Sequence, residues 1–126
     1  MARVLFVDDD PYTLETLNKS VEILGHQAIL ASSGKEALTL AAEQIPDLII
    51  TDMMLPDMDG LVLLNLLSQD ITTAPIPVVM LSASPEIDIA ELSEVAGAKA
   101  YLNKPIRLQT LLDVIQRYTS NTTPNQ

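Results

Sequence analysis

The chain has 126 residues and a mass of 13.7 kDa, the size of one compact domain with no room for a second. Hydrophobic residues make up 48% of it, enough for a core that buries roughly two-thirds of the extended surface, which excludes disorder over most of the length. Seventeen acidic against seven basic residues give a net charge of −10, a field that repels nucleic acid and anionic membranes, and the lack of cysteine removes disulfides and thiolate chemistry together.

The first apolar run, Val4 to Val7, stops at Asp8-Asp9-Asp10 and does not have the form of a signal peptide. Asp10-Pro11 places a capping carboxylate before a proline at the first helical position. Leu14, Leu17, Val21 and Leu24 then recur at helical spacing until Gly25, where the helix should stop. His26 reads as a surface residue at the start of a second run, Gln27 to Ala31. Ser33-Gly34-Lys35-Glu36 has the form of a capping box and opens a second helix. The third run, Leu48 to Thr51, ends in Asp52. In the loop beyond it, Met53, Met54 and Met58 read as adaptable packing, and Asp57 and Asp59 as residues of the turn and helix start at Pro56 and Gly60. A fourth run, Val78 to Leu81, leads into Ser82-Ala83 and a further helix start at Ser84-Pro85. The fifth, Ala100 to Leu102, ends in Asn103-Lys104-Pro105, and Leu108, Leu111, Leu112 and Ile115 mark a last helix. Residues 1–119 therefore read as the domain, and 120–126, polar and uncharged, as a frayed end or the start of a linker. No run approaches the ~18 apolar residues of a membrane span, and a soluble, cytoplasmic protein is expected.

Most runs are wholly apolar instead of alternating, the pattern of strands covered on both faces. Strand then helix, repeated five times, predicts an α/β fold: a doubly wound five-stranded parallel sheet with right-handed crossovers. In such sheets ligands sit beyond the carboxyl ends of the strands, where strand order reverses. If the first and third strands are neighbours, Asp8, Asp9 and Asp52 share one pocket, with Ser82 and Lys104 entering from the far side. Three carboxylates repel unless a cation offsets them. An all-oxygen set suits Mg²⁺, with Mn²⁺ as a substitute, whereas a single histidine and no cysteine argue against zinc. A carboxylate beside Mg²⁺ and a lysine has the chemistry of a phosphoryl acceptor.

In order along about residues 3–118, the acidic pair after strand one, LIITDMMLPDMDG, VVMLSA and AYLNKP resemble the receiver domain of two-component response regulators. The resemblance implies a (βα)5 flavodoxin-like fold with strand order 2-1-3-4-5. It implies that Asp52 takes a phosphoryl group from the phosphohistidine of a histidine kinase or phosphotransfer protein. It further implies that Asp9, Asp52 and the Met54 backbone carbonyl ligate Mg²⁺, while Asp8 acts largely through water. By the same resemblance Lys104 pairs with phosphoryl oxygens, Ser82 donates to another, and Ala83 keeps the approach to Asp52 open. The Lys104-Pro105 bond is then expected to be cis. Tyr101 stands where the family carries an aromatic whose rotamer follows phosphorylation, although plain packing also accounts for it. The output implied is a partner-binding face of the fourth helix, fifth strand and fifth helix, acting on a downstream protein or on an output domain beyond these residues. Such a protein is a bacterial signalling switch, an enzyme only toward its own phosphorylation and dephosphorylation.

Three rivals are weaker. An aspartate-nucleophile phosphatase of the haloacid dehalogenase type could use Asp8-Asp9-Asp10, but that pattern wants a small residue where Tyr12 stands, and the chain is short for that family. A flavodoxin-like cofactor module needs a hydroxyl- and glycine-rich loop after strand one, and here that loop is triply acidic. A receiver-like docking module that never uses phosphorylation would normally have lost an acid or the lysine.

Overall fold

The computed structural model describes residues 1–82, 97–104 and 106–119. In chain order these form β1 (Arg3–Val7), α1 (Pro11–Ile23), β2 (Gln27–Ala31), α2 (Gly34–Gln44), β3 (Leu48–Asp52), α3 (Gly60–Gln69), β4 (Val78–Ser82), β5 (Ala100–Asn103) and a last helix, Leu108–Thr119, here α4. Ala83, the helix start at Ser84-Pro85, Pro105 with its peptide bond, and the tail 120–126 lie outside the described residues.

The five strands form one sheet in the order β2-β1-β3-β4-β5, and every neighbouring pair is parallel. β1 therefore has β2 on one side and β3 on the other. The chain reverses its winding at that junction, and the reversal opens a crevice at the carboxyl ends of β1 and β3. This is the flavodoxin-like, doubly wound sheet that the motifs imply.

Strand periodicity splits the core into two layers. Leu5, Val7, Ile49, Val78 and Met80 face α2 and α3 and pack with Ala37, Ala41, Leu63, Leu64 and Leu67. The intervening Val4, Phe6, Leu48, Ile50, Val79 and Leu81 face α1 and α4, against Leu14, Leu17, Val21, Leu111 and Ile115. Every residue of β3 and β4 is buried, which is why these runs carry no polar alternation. At about 1.5–3 kcal/mol per fully buried large side chain, these layers are the main source of stability. The stripe of α4 differs from the expected one. It runs through Leu111, Val114 and Ile115, and Leu108 in the first turn is exposed.

The helix ends follow local chemistry, with two corrections. Asp10 caps α1, accepting from the Tyr12 N–H at 3.1 Å and the Thr13 hydroxyl at 2.8 Å, and these bonds lower its pKa. α1 stops in a Schellman motif, with Gly25 at φ +84°, Gly25 N–H donating to Glu22 and His26 N–H to Val21. At α2, Ser33 accepts from the Glu36 N–H. The Glu36 carboxylate, however, reaches back to the N–H and hydroxyl of Ser32, one residue earlier than a capping box requires. His26 is the other correction. It is no idle surface residue, because its Nδ1 accepts the Ala2 N–H at 2.9 Å and ties the start of β1 to the turn before β2.

Candidate functional site

Parallel strands end together, so their next residues meet. Asp8 follows β1 and still belongs to its ladder, donating its N–H to the Ala31 carbonyl at 3.1 Å. Strand alternation then turns Asp8 inward, 2% exposed, and leaves Asp9 facing solvent. Asp52 is the last residue of β3, 8% exposed and in register with Leu81. Ser82 closes β4 and is buried. The Lys104 N–H donates to the Ser82 carbonyl at 2.8 Å, which starts the lysine side chain just beyond β4 and β5.

Asp8, Asp9 and Asp52 each offer a carboxylate oxygen, and these lie within 4.8 Å of one another. The Lys104 ammonium reaches two of the three acids, standing 2.6 Å from Asp8 Oδ2 and 3.1 Å from Asp52 Oδ2. Partial burial pushes the Lys104 pKa down, but hydrogen bonds to Asp8 and Asp52 and their negative charges outweigh it, and the net pKa is raised. Among the described residues, one ammonium facing three carboxylates leaves a deficit of positive charge. The donor set fits a small hard dication, because it consists of carboxylate oxygens held close together. The exposed Asp9 also leaves room for an ion that keeps some of its water. A cleft of about 460 Å³ opens beside the cluster, lined by Tyr12, Thr13, Thr16, Leu81, Lys104 and Ile106 among others.

The loop after Asp52 folds back on itself. The Gly60 N–H donates to Met53, Met54 pairs with Asp59 in an antiparallel bridge, and the Leu55 N–H donates to Met58. Gly60 is required by contact. A Cβ there would stand 2.5 Å from Met80 Cε, 2.8 Å from the Asp52 carbonyl oxygen and 3.0 Å from Met53 Cα. Asp59 caps α3 through the Val62 N–H, as its place before Gly60 suggests.

Of the other loop residues, Met53 and Met58 pack as expected, and Met54 and Asp57 depart from expectation. Met53 is buried and Met58 half-buried against the core, but Met54 is 75% exposed, so it does not pack. Its N–H points at Asp52 Oδ1 at 3.5 Å. Asp57 reaches beyond its own turn to the start of α2. Its two carboxylate oxygens accept from the N–H groups of Gly34 and Lys35, at 2.8 and 2.9 Å, and these bonds lower its pKa. No local signal marks this pairing, since Gly34 lies 23 positions earlier. Tyr101 on β5 is half-buried, opposite Met80, and packs against the layer that faces α2 and α3.

The family model described as the response regulator receiver domain matches residues 4–116. The chain is 33% identical over 115 residues to Protein PilH of Pseudomonas aeruginosa, covering 91% of this chain and 95% of that protein. It is 36% identical over 123 residues to response regulator MprA of Mycolicibacterium vanbaalenii, covering 98% of this chain but only 52% of that relative. Among solved structures it resembles the receiver domain of the sensor histidine kinase PA1611 from P. aeruginosa, which has a magnesium ion coordinated in its active-site cleft. That match has a TM-score of 0.86 and 26% identity, and covers 94% of this chain and 98% of the other. Among the described residues no helix is long and apolar enough to cross a membrane. With a five-stranded 2-1-3-4-5 sheet, an acidic cluster at its winding reversal and a family match across nearly its whole length, this chain belongs to the response regulator receiver domain family of two-component signalling.

Proposed function

We propose that this chain is a phosphorylation-dependent switch in which Asp52 accepts a phosphoryl group from a phosphohistidine on a histidine kinase or phosphotransfer protein. The observation that carries this reading is the convergence of Asp8, Asp9 and Asp52 with Lys104 at the ends of β1, β3 and β5. Gathering three acids costs stability unless the charge is used.

Asp9, Asp52 and the Met54 carbonyl would hold Mg²⁺, or Mn²⁺ in its place, and Asp8 would act through water. Both Asp8 oxygens already accept hydrogen bonds, from the Asp10 N–H and from Lys104, which favours the indirect role. A bound Mg²⁺ neutralises charge on the transferring phosphoryl group. An Asp52 carboxylate oxygen attacks phosphorus, the bond from phosphorus to the histidine nitrogen breaks, and the electron pair leaves with the imidazole. Lys104 exchanges its contact with Asp52 for the new phosphoryl oxygens. Ser82, buried at the end of β4, donates to another of them, and Tyr101 follows the space it vacates. The partner-binding surface around β5 is the readout, acting on a downstream protein or an output domain.

Intact-mass spectrometry after incubation with acetyl phosphate tests this reading. The expected result is one added phosphoryl group that requires Mg²⁺ and is absent from Asp52→Asn. Stoichiometric acid-labile phosphate on Asp52→Asn overturns the site. No adduct on folded wild type favours a docking module that works without phosphate.

A further inference from the structure

We infer that Asp57 is a positioning residue for the cation loop: by latching the loop tip onto α2, it fixes the Met54 carbonyl relative to Asp52 and couples cation binding to the N-terminus of α2. The inference rests on the functional reading above, in which that carbonyl is a ligand.

The loop from Met53 to Gly60 is a narrow hairpin with rungs at Met53–Gly60, Met54–Asp59 and Leu55–Met58. Met54 lies on its outgoing arm, and Pro56 and Asp57 are at its tip. Both tip-side anchors land on the same turn of α2. Asp57 accepts from the Gly34 and Lys35 N–H groups. Met58 lies against Gly34 so closely that a Cβ there would stand 2.5 Å from its Cγ and Sδ. One anchor is a charge-assisted pair of hydrogen bonds and the other is apolar contact, so the tip is held in both direction and depth.

α2 does not depend on Asp57 alone to begin. Ser33 caps it by accepting from the Glu36 N–H, and Glu36 satisfies Ser32. Asp57 adds acceptors for the first two helical N–H groups, where a negative charge also meets the positive end of the helix. The latch therefore constrains the loop at least as much as the helix. A contact that sets a ligand's place is also affected when the ligand is engaged, because coupling between two sites is reciprocal.

The test uses the full chain and three variants, Asp57→Ala, Asp57→Asn and the control Ser33→Ala. Mg²⁺ dissociation constants are measured by calorimetry at a temperature where circular dichroism shows each variant folded. Amide hydrogen exchange at Gly34 and Lys35 is followed with and without Mg²⁺. Asp57→Ala is expected to weaken Mg²⁺ about fivefold or more, and Asp57→Asn by less. Ser33→Ala should lower Tm but leave the constant within about twofold of wild type. In wild type, Mg²⁺ should slow exchange at Gly34 and Lys35. If Asp57→Ala fails to fold, Asp57→Asn carries the same comparison. A dissociation constant within about twofold of wild type in the folded Asp57 variants overturns the coupling while leaving the functional reading intact. Wild-type protein that binds no Mg²⁺ overturns the functional reading and this inference with it.

Discussion

The Lys104 ammonium stands 2.6 Å from Asp8 Oδ2, although 96 positions separate the two residues in sequence and β3 and β4 lie between their strands in the sheet. The side chain crosses the carboxyl edge of the sheet to reach Asp8 and meets Asp52 on the way, at 3.1 Å. One lysine thus ties the ends of β1, β3 and β5 together.

Replacing Lys104 with methionine keeps most of the stem and removes the charge. Asp8, 2% exposed, then loses a charged donor, and three carboxylates face one another without the ammonium. Lys104→Met is expected to cost about 1–3 kcal/mol in metal-free buffer, less than for a fully buried pair because the lysine side chain is 21% exposed. Mg²⁺ should restore more stability to the variant than it adds to wild type. Urea unfolding with chelator and with Mg²⁺ checks both statements, and equal responses to Mg²⁺ would contradict the second. The Lys104 pKa is raised, so the stabilisation that comes from the lysine's protonation is fully present below its ordinary value of 10.5 and is lost as pH rises through the raised one.

Asp9 is the exposed member of the cluster, and its removal lessens repulsion without opening a cavity. Asp9→Ala should be at least as stable as wild type in chelator. Added Mg²⁺ should raise the Tm of wild type by binding the folded state, and should raise that of Asp9→Ala little or not at all. Scanning calorimetry of the two proteins decides the matter.

Gly60 approaches backbone, which cannot swing aside as a flexible side chain does. Its added Cβ would lie 2.8 Å from the Asp52 carbonyl oxygen. Gly60→Ala is expected to destabilise by about 1–3 kcal/mol and to displace the backbone of Asp52 itself. Slower phosphorylation by acetyl phosphate in the folded variant would show the displacement, and an unchanged rate would restrict the glycine to stability.

His26 makes stability depend on pH below neutrality. Partial burial, and next the positive charge of the N-terminus, lower its pKa below 6.5. The neutral imidazole accepts the Ala2 N–H, and a protonated Nδ1 would be a donor facing a donor. The contribution is present above 6.5 and lost as pH falls through the lowered folded value. Between about pH 7.5 and pH 5 the Tm of wild type should fall more than that of His26→Asn, whose Oδ1 accepts without titrating. Parallel falls would assign the pH dependence to the carboxylates.

Much of the architecture was legible because its causes are local. Apolar runs predicted five strands, Asp10, Ser33 and Gly25 marked helix ends, and Asp8, Asp9 and Asp52 stood at strand termini where parallel strands deliver their next residues. Which strands are neighbours was implied by the motifs as a resemblance, since composition and periodicity alone admit several orders. Leu108 is exposed, and its exposure is not legible in the sequence for a related reason: helical spacing shows that a stripe exists, but only the docked helix shows which of two overlapping stripes meets the sheet.

The amino-acid sequence by itself determined the parallel α/β architecture, the strand-end acids and the family motifs, because these depend on neighbours within a turn or a strand. The tertiary structure alone decided that Lys104 bridges Asp8 and Asp52, that Asp57 caps a helix other than its own, that Met58 fills the space beside Gly34, and that His26 holds Ala2. Each joins residues more than 20 positions apart, brought together by the winding reversal between β1 and β3 and the packing of helices on the sheet. No pattern along the chain encodes a distance of that kind.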